Sequence, residues 1–73
     1  MSDARTAAAV ETVAIGDGMW RVSREGVALG VVHVFVARDG ERFMARVVDR
    51  QRRCWVRVGE YWEFERAVAA LVS

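Results

Sequence analysis

Four short clusters of turn-forming residues cut residues 10–59 of this 73-residue chain into five stretches, and nothing else in the sequence restricts the fold as much. The clusters are Gly16-Asp17-Gly18, Glu25-Gly26, Asp39-Gly40 and Asp49-Arg50-Gln51-Arg52. Between them apolar and polar residues alternate with a period near two, the pattern of half-buried strands. The chain has no proline to interrupt a ladder. The reading is five strands, at 10–15, 19–24, 27–37, 42–48 and 53–58, in meander order. Asp39-Gly40 is the firmest expected turn, because a two-residue type I′ turn needs positive φ at both centres and this dipeptide tolerates it. Glu25-Gly26 is a weaker version of the same signal.

After Gly59 the period moves toward 3.6, with Phe64, Ala67, Val68 and Leu71 on one stripe and Glu63 and Glu65 near the positive N-terminal end. A helix is expected over 63–72. It is too short to be stable alone, so it must lie across one face of the sheet and leave the other open. The fold class that follows is α+β: an antiparallel β-meander of five strands with one C-terminal helix packed on one face. Residues 1–9 read as a flexible tail and 10–73 as a single domain, too small for a two-domain enzyme.

Turn register assigns the faces. A two-residue loop at Asp39-Gly40 pairs Val36 with Phe43, Phe35 with Met44, Val34 with Ala45, His33 with Arg46 and Val32 with Val47. One face is then wholly apolar, and pairing Val48 with Arg53 adds Cys54, Val56 and Val58 to it. This is the face the helix should cover. The other face carries His33, Phe35, Met44, Arg46, Arg53, Trp55 and Arg57. Continued through Gly30, the same register would put Trp20 and Val22 outside. A bulge at Gly30 is therefore predicted, returning Trp20, Val22 and Leu29 to the core.

Composition narrows the function. The chain is 53% hydrophobic and 29% charged, a globular profile with no apolar run near the ~18 residues that cross a bilayer. Its first residues lack the layout of a signal peptide, so a cytoplasmic protein without membrane partners is expected. One cysteine, Cys54, excludes a disulfide framework and a cysteine-based zinc site. Placed under the helix, its thiol would be inert. His33 is the sole histidine and faces Arg46, which repels a cation; no metal is expected there. Glu60, Glu63 and Glu65 are explained by the helix N-terminus, and no phosphate-cradling glycine motif occurs. The expectation is a protein without catalysis or cofactor. Tyr61 and Trp62 are expected to close the core, with one of them a candidate exposed anchor.

All eleven basic residues are arginine, and the net charge is only +1. Residues 42–57 nevertheless hold six arginines against Asp49 alone, while the segments on either side are acidic. Arginines that reach phosphate beside aromatics that stack are the working parts of sheet-type nucleic-acid binders. Arg46, Arg53, Trp55 and Arg57 on the sheet face, with Arg50 and Arg52 at the loop tip, are the candidate contacts. The plain reading of the same residues is a solvated sheet face with Trp55 sheltered by arginine stems.

Three strands and one C-terminal helix, an Arg/Trp-studded sheet face and the run Trp62-x-Phe64-x-x-Ala67-Val68-x-Ala70-Leu71 resemble the AP2-like and integrase N-terminal DNA-binding domains over residues 27–72. The resemblance implies a sheet laid into the major groove by Arg46, Arg53, Trp55 and Arg57. Two extra N-terminal strands, an acidic helix start and low net charge depart from that pattern. Nucleic acid or a nucleoprotein complex is thus one expected partner. A second reading is a protein-binding inhibitor or adaptor of the phage and mobile-element type, anti-CRISPR proteins among them, with Trp55, Phe35 and Met44 as anchors. A homodimer through the open face is a third.

Overall fold

In the computed structural model, which describes residues 10–72, β1 (Val10–Gly16), β2 (Met19–Arg24), β3 (Val27–Ala37), β4 (Gly40–Asp49) and β5 (Cys54–Tyr61) form one antiparallel sheet in sequence order. Helix α1 (Phe64–Val72) packs on one face of it. The tail read at 1–9 lies outside the described residues. No helix among the described residues is long and apolar enough to cross a membrane.

The turns explain the register. Arg24 pairs with Val27, and both centres of the intervening turn have positive φ, Glu25 at 51° and Gly26 at 83°. This is the type I′ geometry expected more strongly at Asp39-Gly40. There the two-residue loop is instead Arg38-Asp39, neither residue having positive φ, and Gly40 takes up the left-handed conformation (φ 128°) as it re-enters the strand opposite Ala37. Every partner across β3 and β4 moves by two from the expected register: Val34 faces Phe43, His33 faces Met44 and Val32 faces Ala45. A shift of two keeps each side chain on its expected face. The β4–β5 connection moves in the same way, with Asp49 opposite Cys54 and Val48 opposite Trp55. Asp49 organises that loop, its Oδ1 accepting the backbone N–H groups of Gln51 (3.0 Å) and Arg52 (3.2 Å).

Three register shifts interrupt the sheet; one leaves Ile15 extra in β1, and the other two bear on the faces. The first of these two is the one expected near Gly30: Val22 pairs with Gly30 but Ser23 with Ala28, leaving Leu29 as the extra residue. Trp20, Val22 and Leu29 all reach the helix side. A methyl group on Gly30 would collide with the Arg46 carbonyl oxygen and the Leu71 side chain, so glycine is required by close approach as well as by the bulge. The second is in β5, where Arg57 faces Arg46 and Gly59 faces Ala45, with Val58 extra between them. It carries the strand on to Tyr61, beyond the expected end at Val58, and Gly59 leaves room for the Tyr61 ring folded back over it.

The core is small. Val22, Val32, Ala45, Ala67 and Leu71 are buried, with Trp20, Phe43, Tyr61, Phe64 and Val68 packed around them. Phe64 closes one end, its ring 5.0 Å from Trp20 and 5.9 Å from Phe43, both edge-on. Such contacts add about 0.5–1.5 kcal/mol each beyond burial. The helix covers less than expected. Nine residues make about 13 Å of helix, whereas the eight of β5 extend about 27 Å. Val36 (79% exposed), Val56 and Val58 therefore lie outside its reach. Cys54 is also exposed, not buried under α1.

Candidate functional site

Strand alternation carries the residues of interest to the face away from α1, where they form transverse rows. One row runs Val13, Arg21, Val31, Arg46 and Arg57 across the five strands. Beside it on one side stand Met19, His33, Met44 and Glu60. Phe35 and Arg42 follow, next to the β3–β4 turn. On the other side Val48 faces Trp55 at the loop end of the sheet.

The two ends are wired differently. Near the β3–β4 turn, Arg42 donates to Asp39 (2.7 Å) and Glu60 (3.3 Å), and Arg57 donates to the other Glu60 oxygen (3.0 Å). The Arg42 guanidinium also lies 4.6 Å from the centroid of the Trp62 ring. Its hydrogen bond holds the Asp39 carboxyl below the usual carboxylate range, and the same bond raises Arg42. Two arginines and two carboxylates leave this end neutral.

The opposite end has no such compensation. Among the described residues, Arg21, Arg50 and Arg53, which line the surface beside Trp55, have no acidic group within ion-pair distance. Arg52 is held loosely, 3.7 Å from Asp49. The bulge at Leu29 shapes the surface here, because the ladder between β3 and β4 begins only at Val31. Where the strands part, a shallow recess of about 220 Å³ opens, lined by residues 28–31, Val48 and Trp55 together with Arg21 and Arg50. Trp55 is 51% exposed.

Of the candidates read from the sequence, Arg46, Trp55 and Arg57 stand on the open face as expected, with His33, Phe35 and Met44 farther toward the turn. Arg53 does not join the strand. It sits in the β4–β5 loop with φ 56°, its N–H donating to the Asp49 carbonyl (2.7 Å), because the register places the strand start one residue later. His33 is paired with Met44, and Arg46 reaches it diagonally, Nη2 lying 3.5 Å from Nδ1. The Arg46 Nε is buried without a partner. Cys54 is on the helix side of the sheet, away from His33. No cluster of three metal-ligating groups occurs among the described residues.

Sequence reasoning does not single out Arg21 or Val48, nor the pairing of Arg42 with Glu60. Arg21 is within its reach, since the bulge that turns Trp20 and Val22 inward turns Arg21 outward. Trp62 does not close the core; it is 57% exposed, and Tyr61 packs inward instead.

The molecule is thus a small α+β meander with one C-terminal helix packed against its sheet. Compared with protein-family models, with curated proteins and with solved structures, the chain matches none.

Proposed function

We propose that the protein is a non-catalytic binding module that docks nucleic acid, alone or in a nucleoprotein complex, on the loop end of its open sheet face. The observation that carries this reading is the group of three guanidinium groups, Arg21, Arg50 and Arg53, that have no acidic partners and line the surface beside a half-exposed tryptophan. Arginines already bound to carboxylates must be freed before they reach phosphate; these three need no such exchange. Trp55 supplies a π-face for a base, and the guanidinium groups supply fixed charge for the backbone. The likeness to AP2-like and integrase N-terminal domains enters this proposal as architecture alone, with β3, β4, β5 and α1 standing for their three strands and helix. A cytoplasmic site of action belongs to it too, and a single exposed thiol fits a reducing compartment.

A second reading, a protein-binding inhibitor or adaptor, is favoured by Val56 and Val58, which stay exposed along the β5 edge beyond the reach of α1. Salt separates the two. Fluorescence anisotropy with labelled DNA and RNA, at low and near-physiological salt, should show affinity falling steeply as salt rises, since each phosphate neutralised releases counterions. Absence of binding at low salt, with a protein from the same cells retained stoichiometrically at near-physiological salt, would replace the first reading by the second.

A further inference from the structure

We infer that the nucleic acid this face takes is single-stranded, with one unstacked base seated in the recess between β3 and β4. The inference rests on the nucleic-acid reading and narrows it. The recess, at about 220 Å³, is below the roughly 300 Å³ at which pockets for drug-sized molecules begin, so it suits a fragment the size of one heterocycle. Its lining is mostly apolar, with Ala28, Leu29, Val31, Val48 and the Trp55 ring, and the Gly30 backbone between them. That lining offers a flat heterocycle mainly apolar contact. It suits stacking, which every base can satisfy, better than major-groove readout, which needs paired donors and acceptors.

The charge follows the same geometry. Arg21, on β2, and Arg50, in the β4–β5 loop, also line the recess, so a backbone laid over it meets a guanidinium group while the base points down. A duplex keeps its bases in the stack, and presenting one here requires flipping it out, with its pairing and stacking given up. A single strand has its bases free already. The open face and the recess thus favour a strand crossing the sheet over a sheet inserted in a groove.

The test uses the full chain and labelled oligonucleotides about ten residues long: oligo-dT, oligo-rU, a mixed-sequence single strand and the matching duplex, all at low salt. Expected is single-strand binding about tenfold or more tighter than duplex, with little dependence on sequence; dT against rU identifies the preferred sugar. Trp55→Ala should weaken single-strand binding about tenfold, the loss of stacking for one base. Trp55→Phe should restore most of it. Trp62→Ala, at the far end of the face, should leave it unchanged. Duplex binding as tight as single-strand binding, or a Trp55→Ala protein that is folded by circular dichroism and binds as before, overturns this inference and leaves the wider function standing. No binding of any oligonucleotide overturns both.

Discussion

The two ends of the open sheet face are built from the same kinds of residue and differ in what those residues touch. Each has a half-exposed tryptophan and arginines from neighbouring strands. At the β3–β4 turn, Asp39 and Glu60 reach Arg42 and Arg57, and Trp62 lies against the Arg42 guanidinium. At the β4–β5 loop, Asp49 commits one oxygen to two backbone N–H groups and reaches only Arg52, at 3.7 Å. The acid that could have neutralised this end is occupied in holding the loop. Counting arginines and aromatics along the chain therefore overstates the turn end of the face, because Arg42 and Arg57 are already paired with carboxylates there.

The sheet itself reinforces the contrast. Strands β3 and β4 stay paired from Val31 to Ala37, through the neutral end, and separate beyond Val31, where the recess lies. The hinge of that separation is Gly30. Replacing it with alanine should have the largest effect of any single change, since the methyl group would meet a backbone carbonyl that cannot move without shifting β4. The expected loss is on the order of 3 kcal/mol. In a chain whose single core yields about 3–5 kcal/mol, that leaves much of the population unfolded. Gly16→Ala is the control: its methyl group enters open space at ordinary φ, and its melting temperature should match the parent's. A Gly30→Ala protein that melts with the parent would show that the two strands are not held as closely as described, and the origin of the recess would need another account.

Much of this architecture is legible in the residues. Alternation with turn punctuation identifies all five strands, and the conflict between two parities at Trp20 and Val22 locates the bulge from sequence alone. Face assignment survives the difference in the β3–β4 turn because that difference is a shift of two, and parity is all that assigns a face. Burial is less legible. Periodicity says that Val36, Cys54 and Val56 point toward the helix side, but only the lengths of helix and strand say whether a helix is there to cover them. The ion pairs are least legible. Glu60 joins Arg42 and Arg57 because an extra residue at Val58 puts Glu60 opposite Met44, between the two arginines. No local pattern announces that bulge, since Val58 continues the alternation of β5 without a break. Alternation misplaces Arg53 for a related reason: positive φ at a non-glycine residue has almost no signature in sequence.

Arginine substitutions sharpen the comparison directly. Arg21→Ala and Arg50→Ala, at the uncompensated end, should each weaken single-strand binding and flatten its dependence of log K on log salt by about 0.7, the value for one phosphate no longer neutralised. Arg57→Ala, whose guanidinium is already given to Glu60, should change that slope little. Affinity measured at three or more salt concentrations for each variant gives the slopes. Equal slopes for all three would mean that ion pairing at the neutral end does not withhold its arginines, and the distinction between the ends would fail as an account of binding.

The smallest expected effect tests the wiring of the neutral end without any ligand. Asp39 is exposed, and its carboxyl titrates below the usual 3.8 because Arg42 donates a hydrogen bond to the charged form. A carboxyl depressed on folding contributes stability above its unfolded value, and that contribution is lost as pH falls through the lower folded value. Asp39→Asn should therefore melt slightly below the parent at about pH 6, with the gap closing as the pH falls through the depressed value at which the parent's own carboxyl takes up its proton. The effect should be small, since exposed ion pairs are screened and hold two flexible side chains in place. It should shrink further in high salt. A gap that stays constant as the pH falls would mean that Asp39 acts through the geometry of the Arg38-Asp39 turn and not through its charge. Arg42 would then be held mainly by Glu60 and the face of Trp62, and the neutrality of this end would rest on β5 alone.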